Sequence, residues 1–92
     1  MSASNSWHVD IAPSARRDIK RLDRPVQTRI IEALEGLRAE PARGDIQRLT
    51  GIQPPEWRLR VGEWRVRFVR EQDTRTVRIL RVLPRGRAYR DR

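Results

Sequence analysis

Cysteine is absent from the 92-residue sequence, and histidine occurs once, as His8. Without cysteine the chain can form neither a disulfide framework nor a thiolate metal site. A single histidine also excludes the paired histidines of a pancreatic-ribonuclease-like mechanism, and we expect His8 to be a surface or rim residue of the first strand. The sequence therefore predicts no disulfide, no metal and no cofactor.

Long apolar segments are missing too. No stretch approaches the roughly 18 apolar residues that a membrane-spanning helix needs. The opening MSASNSWHVDIAPS lacks the basic start and the apolar run of a secretory signal. We expect a cytoplasmic protein without membrane association, built as a single domain over residues 7–92 after a disordered tip at residues 1–6.

Lysine is almost absent as well, since Lys20 is the single lysine among 21 basic residues. The net charge of +9 is unevenly distributed: residues 1–54 carry nine basic against seven acidic residues, or +2, and residues 55–92 carry twelve against five, or +7. Arginine binds phosphate through two parallel hydrogen bonds and stacks on bases. Although a GC-rich genome also favours arginine codons, it does not explain the clustering, which indicates an anionic partner for the second half.

Apolar spacing in the first half predicts one strand followed by two helices. WHVDIA at 7–12 alternates as a short strand, and helical spacing starts at Pro13-Ser14. A second, longer helix is predicted to start at Asp23-Arg24-Pro25 and to end near Glu40-Pro41. Residues 42–55, rich in Gly, Pro and Thr, are predicted to form a loop.

The second half predicts three strands. EWRLRVGEWRVRF at 56–68 alternates apolar and basic residues on both sides of Gly62-Glu63, which is typical of a β-hairpin. VRILRVL at 77–83 is predicted as a further strand, central in the sheet beside 64–69. The resulting order β-α-α-β-β-β predicts an α+β fold: an antiparallel meander sheet with two helices on one face and a basic open face.

Folding the hairpin about Gly62-Glu63 predicts the pairs Val61–Trp64, Leu59–Val66 and Trp57–Phe68 on the core face. The pairs on the open face are then Arg60–Arg65 and Arg58–Arg67. Like charges directly opposite each other destabilise a sheet. At about 5 Å each pair repels by roughly 1 kcal/mol in water, and by about 3 kcal/mol at an effective dielectric of 20. A small domain needs a reason to accept this repulsion.

The basic tail RGRAYRDR follows the last strand and brings Arg85, Arg87 and Tyr89 to the same face or its rim. Together with the four strand arginines it would bind a polyanion, with Tyr89 as a stacking or proton-handling group. A merely solvated face would carry charges of mixed sign, so we favour the binding interpretation. Glu63 is interpreted as a turn residue, and the three tryptophans as core.

The segments LTG, WRLRVGEWRVRF and VRILRVLPRGRAYR together resemble the RelE/ParE toxin superfamily of toxin–antitoxin modules, and the RelE-like branch most. The resemblance rests on residues 48–90, and the upstream strand and helices fit the family order. It implies a RelE fold, a toxin that cuts mRNA in the ribosomal A site, and an antitoxin that wraps and silences it. An acidic segment of the antitoxin would cover the basic face.

Carried over by resemblance, Arg60, Arg65, Arg85 and Tyr89 are the expected catalytic residues. Arg58, Arg67 and Arg87 are the expected RNA-binding residues. Where the best-known member has lysines, this chain has Arg58 and Arg60, and arginine is a poor general base. The resemblance therefore leaves two alternatives open beside a metal-independent endoribonuclease: a ParE-like DNA gyrase inhibitor without nuclease activity, and a non-catalytic RNA-binding module.

Overall fold

The computed structural model describes residues 6–86, and these residues form two helices and five strands. The elements in chain order are β1 (His8–Ile11), α1 (Pro13–Lys20), α2 (Arg24–Gly36), β2 (Asp45–Leu49), β3 (Glu56–Val61), β4 (Trp64–Glu71) and β5 (Thr76–Pro84). The predicted α+β class and both helices are confirmed. Residues 1–5 of the predicted tip and residues 87–92 of the tail lie outside the described residues.

The five strands form one sheet in the order β1-β5-β4-β3-β2. Strands β2 to β5 make the predicted antiparallel meander, and β5 is internal as expected. The first strand departs from the prediction, because β1 pairs with β5 in parallel. A tight hairpin would impose the antiparallel direction, whereas β1 reaches the rest of the sheet through two helices.

Strand β2 corrects the predicted loop at residues 42–55. It pairs antiparallel with β3 and forms the edge of the sheet. Its sequence DIQRL does not alternate, because Arg48 occupies a position on the helix-covered face. The Arg48 guanidinium lies 5.8 Å from the centre of the Trp57 ring. The aliphatic stem of a long cationic side chain can cover apolar surface in this way. Because a charged residue stands where an apolar one would be expected, the sequence of β2 shows no alternation of polar and apolar residues.

The second helix ends four residues earlier than predicted. The Gly36 carbonyl accepts a hydrogen bond from the Arg43 backbone N–H at 2.9 Å, and a Cβ on Gly36 would lie 3.1 Å from the Arg43 carbonyl oxygen. Beyond the helix, Trp7 N–H donates to the Arg38 carbonyl. The returning chain and the start of β1 thus take up the backbone groups that a longer helix would use.

The core lies between the helices and one face of the sheet. Trp7 is 1% exposed there, and the Arg70 guanidinium lies 4.2 Å from the centre of its ring. The other buried residues of this core cluster come from every layer: Ala15, Ile30, Leu34, Leu37, Leu59, Val66, Phe68, Val77, Ile79 and Val82. Trp57 and Trp64 are half-buried against this core, as predicted, and His8 is exposed. Neither helix within residues 6–86 has the length and apolar character to cross a membrane.

Candidate nucleic-acid interface

The β3–β4 hairpin has the predicted register. Arg60 pairs with Arg65 and Arg58 with Arg67 across the two strands. The four arginines therefore occupy the sheet face opposite the helices. This face is less open than the sequence predicts, because Arg65 and Arg67 are each only 8% exposed.

Strand β2 supplies acceptors for the two arginines of β3. Gln47 lies directly opposite Arg58 in the β2–β3 ladder, and Arg58 Nη2 donates to Gln47 Oε1 at 2.7 Å. Asp45 lies opposite Arg60, with 3.7 Å between Arg60 Nε and Asp45 Oδ2. The edge strand thus compensates part of the repulsion within the hairpin.

Arg67 is held by Glu56 rather than presented to solvent. Its Nε and Nη2 atoms donate to Glu56 Oε1 at 3.1 and 2.6 Å. Because Arg67 is buried and ion-paired, its contribution to an anion site is smaller than that of its neighbours. On this sheet face Arg67 thus forms an inner ion pair with Glu56. Arg60 and Arg65 form an outer group nearer the Gly62-Glu63 turn.

Arg65 is the buried member of the outer group. Its Nη1 donates to the carbonyl oxygens of Gly62 at 2.8 Å and Trp64 at 3.0 Å, so the guanidinium is fixed against the β3–β4 turn. Burial lowers the pKa of Arg65 from its ordinary value, and repulsion from Arg58, Arg60 and Arg85 lowers it further. Folding therefore disfavours the charge on this guanidinium, and a bound anion would favour it.

Arg85 reaches the same turn from the end of β5. Its backbone N–H donates to the Glu63 carbonyl at 2.8 Å, and its Nη1 lies 3.8 Å from Glu63 Oε1. Both side chains are well exposed, so this ion pair is weak and readily exchanged for another anion. Arg60, Arg65 and Arg85, which sequence analysis assigned to one site, are brought together around Gly62-Glu63.

Two expected site residues, Arg87 and Tyr89, lie outside the described residues. Within residues 6–86, no group of three or more His, Cys, Asp or Glu side chains is arranged to hold a metal ion. The carboxylates beside the arginines, Asp45, Glu56 and Glu63, each face a guanidinium. The described part of the site is thus suited to binding and stabilising an anion, and it contains no histidine.

The three acceptors Asp45, Gln47 and Glu56 are not among the site residues that the sequence predicts. The first two lie on β2, which shows no alternation. Glu56 was assigned no role, although its place at the start of a strand with alternating arginines is a signal for pairing on that face. Asp45 and Gln47 can be found as partners of the β3 arginines only once β2 is placed beside β3.

A sequence model described as the ParE toxin of the type II toxin–antitoxin system parDE matches residues 9–89. No curated protein sequence matches the chain.

Solved structures share the fold over nearly their whole length. A chain of the archaeal RelE–RelB complex from Pyrococcus horikoshii OT3 is 26% identical with a TM-score of 0.76, covering 90% of this chain and 99% of that one. A chain of the toxin–antitoxin complex RelBE2 from Mycobacterium tuberculosis is 28% identical with a TM-score of 0.74, and the match covers 87% of this chain and 99% of that one. Because the family model covers nearly all of the chain and the fold agrees with these structures, the chain belongs to the ParE toxin family of type II toxin–antitoxin systems, within the RelE/ParE superfamily.

Proposed function

We propose that this toxin inhibits translation by cutting mRNA on the ribosome, without a metal ion. The observation that supports the proposal is the convergence of Arg60, Arg65 and Arg85 on the Gly62-Glu63 turn. Three cations around one turn form a site for a single phosphate group and its neighbours.

RNA cleavage of this kind uses the substrate's own 2′-hydroxyl. The 2′-oxygen attacks the adjacent phosphorus while its proton passes to a base, and the bond from phosphorus to the 5′-oxygen breaks. The products are a 2′,3′-cyclic phosphate and a 5′-hydroxyl that receives a proton from an acid. Negative charge develops on the phosphoryl oxygens during the reaction, and fixed guanidinium groups stabilise it without reorganisation.

The described arginines fit distinct roles in this reaction. Arg65 is rigidly held and its charge is disfavoured in the free protein, so it is the best placed to bind the phosphoryl oxygens, assisted by Arg60. Arg85, exposed and loosely paired with Glu63, would stabilise the leaving 5′-oxygen. Arg58 and, from the sequence, Arg87 would bind flanking phosphates, and Tyr89 would orient the base or move a proton.

The arginines leave the proton acceptor unassigned, because guanidinium groups are charged at neutral pH. We therefore propose that the ribosome supplies part of the proton transfer, which makes the activity ribosome-dependent.

The proposed partner in the silent state is an antitoxin. The similar structures from Pyrococcus and Mycobacterium are complexes of a RelE-type toxin with its antitoxin. For this chain we propose that an acidic antitoxin segment covers the sheet face around Arg58, Arg60 and Arg65. Its carboxylates would take the place of the RNA phosphates and relieve the same repulsion.

A primer-extension map of mRNA in a translation extract tests the nuclease. Wild-type protein should cut at regular positions within codons, and Arg65→Ala or Arg85→Ala should abolish the cuts. Arg38→Ala is the control, because Arg38 follows α2 and is an exposed arginine that pairs with Glu35 and donates to the Trp7 carbonyl, outside this group of arginines. Unchanged cutting by both site variants would remove these arginines from the mechanism.

The second candidate is inhibition of DNA gyrase, favoured by the description of the matching family as a ParE toxin of parDE. Intact mRNA at micromolar toxin, together with loss of gyrase supercoiling at the same concentration, would establish this function instead. A supercoiling assay on the same variants therefore belongs beside the primer-extension map.

A further inference from the structure

We propose that the helix side of the same sheet end holds a second nucleotide subsite, where Trp64 stacks on a nucleobase and Arg21 and Arg29 bind its phosphate. This inference rests on the proposed RNA substrate. The subsite would bind a nucleotide beyond the two that flank the cleaved bond, so it would contribute to affinity and to the choice of sequence.

The pocket of this subsite has a volume of about 210 Å³ and opens between the helix junction and the end of the sheet. Its apolar walls are Leu22, Trp64, Val82, Leu83 and Pro84, and its polar walls are Asp18, Arg21 and Arg81. An aromatic ring, a proline and cationic groups around one opening form a suitable environment for a flat aromatic ligand that carries negative charge.

Trp64 is the residue that can stack. It pairs with Pro84 across β4 and β5 and packs against the core with only part of its surface. The remaining surface lines the pocket. Stacking on an aromatic side chain is a common and sequence-tolerant way to bind an unpaired base.

The charges in the pocket favour an anion. Asp18 is the acidic wall residue, but Arg81 donates to both of its oxygens, at 2.8 and 3.2 Å. The Val82 backbone N–H donates to the same carboxylate at 2.8 Å. Arg21, by contrast, has no carboxylate within salt-bridge distance among residues 6–86. The balance of the described charges at the opening is therefore positive.

Arg29 adds a second cation on the helix side of the turn. Gly62 has φ +58, and a Cβ on it would lie 2.5 Å from Arg29 Nη2. The guanidinium of α2 thus lies directly against the turn whose other face carries Arg60 and Arg65. Arg29 is exposed and, within the described part of the chain, forms no salt bridge.

The two subsites are continuous along the chain. Arg85 of the first follows directly after Pro84 of the second, and its backbone is bonded to Glu63 in the turn. Trp64 follows the same turn. Both subsites therefore border the same turn, and in this proposal an RNA strand whose phosphate lies at Arg65 and Arg85 passes over the turn and places a base beyond the cleaved bond beside Trp64.

The test compares the affinities of two single-stranded RNAs, a dinucleotide and a hexanucleotide, both 2′-O-methylated to prevent cleavage, by fluorescence anisotropy. Arg21→Gln combined with Arg29→Gln should weaken hexanucleotide binding about tenfold and leave dinucleotide binding unchanged. The matched control is Arg16→Gln combined with Arg17→Gln, which removes the same charge from α1 without touching this pocket. The control should change hexanucleotide binding less than threefold.

Trp64→Leu should weaken hexanucleotide binding by about fivefold or more, the usual effect of losing one stacked base. Trp64→Phe should recover part of the affinity, which separates stacking from damage to the core. Equal losses in the two double variants, or hexanucleotide binding unaffected by Trp64→Leu, would overturn the second subsite. If Arg65→Ala still abolished binding in that case, the proposed function would stand. Failure of wild-type protein to bind either RNA would overturn the second subsite, whereas the proposed function is decided separately by the primer-extension map on ribosomes.

Discussion

Glu56 and Arg67 form a nearly buried ion pair between β3 and β4, with 2.6 Å between Glu56 Oε1 and Arg67 Nη2 and side-chain exposures of 13% and 10%. This pair explains how the hairpin tolerates arginine directly opposite arginine. One cation of the Arg58–Arg67 pair is neutralised by Glu56, and the other donates to Gln47. The repulsion that remains is concentrated on Arg65, nearest the proposed phosphate site.

The Glu56–Arg67 pair should therefore be important for stability. Glu56→Gln removes the carboxylate charge and leaves Arg67 buried beside Arg58. Breaking a buried ion pair by removing one partner costs about 3 kcal/mol, so we expect a loss of this order in the free energy of unfolding, measured by urea denaturation. Glu35→Gln is the control, since it breaks the exposed Glu35–Arg38 pair and should cost less than about 1 kcal/mol. Equal effects of the two substitutions would contradict the buried character of the Glu56 pair.

Substitutions of the like-charged partners Arg60 and Arg65 should differ in their effect on stability. From charge repulsion alone, replacing either by Gln should stabilise the free protein. Arg65 also donates to the Gly62 and Trp64 carbonyls, and each hydrogen bond from a charged group contributes about 1.5–3 kcal/mol. We expect Arg65→Gln to destabilise the protein by about 1 kcal/mol, because relief of repulsion offsets part of this loss.

Arg60→Gln gives the comparison, because Arg60 is more than half exposed and its ion pair with Asp45 is long. The free energy of unfolding of the Arg60→Gln variant should stay within about 0.5 kcal/mol of wild type. Both variants should lose activity. Stabilisation by Arg65→Gln would mean that repulsion outweighs the hydrogen bonds of the turn.

The hairpin was predictable because its chemistry is local. Strict alternation from Trp57 to Phe68 around a Gly-containing turn fixes both register and face, and the structure has that register. The helices were predictable from spacing and from Pro13 and Pro25. By contrast, β2 is an edge strand with Arg48 on its core-side face, and its assignment depends on pairing with β3 rather than on its own sequence.

The candidate site was predictable as a set of arginines but not as a set of interactions. Alternation places Arg65 and Arg67 on one face, yet it contains no information about Glu56 or about the turn carbonyls. Arg29 lies 33 positions before Gly62, and only the packing of α2 brings them together. Partners that depend on tertiary contacts cannot be read from local spacing.

Gly62 and Gly51 form a matched pair for the turn. Both have positive φ, +58 and +76, but a Cβ would meet Arg29 at Gly62 and nothing within 4 Å at Gly51. Alanine at either position should cost about 1–2 kcal/mol for the left-handed backbone. Because the end of Arg29 is flexible and can move, Gly62→Ala should destabilise no more than about 1 kcal/mol beyond Gly51→Ala in chemical denaturation. A much larger difference would show that Arg29 is held rigidly against the turn.

The salt dependence of RNA binding should report how many arginines contact phosphate. The proposed contacts neutralise about four phosphates: one held by Arg60, Arg65 and Arg85, one each at Arg58 and Arg87, and one at Arg21 and Arg29. On single-stranded RNA this corresponds to a slope near −3 in a plot of log affinity against log salt concentration. Arg60→Gln should make the slope shallower by up to about 0.7, because Arg65 and Arg85 still neutralise part of the same phosphate.

Arg38→Gln is the control for this measurement, because it removes an arginine of equal charge from the segment after α2 and should leave the slope unchanged. A slope near zero for the wild type would exclude phosphate neutralisation by the sheet face. A slope that Arg60→Gln and Arg38→Gln reduce equally would indicate that net charge, rather than the arginines around Gly62-Glu63, governs binding. The slope thus separates a specific phosphate site from the general attraction of a chain with charge +9.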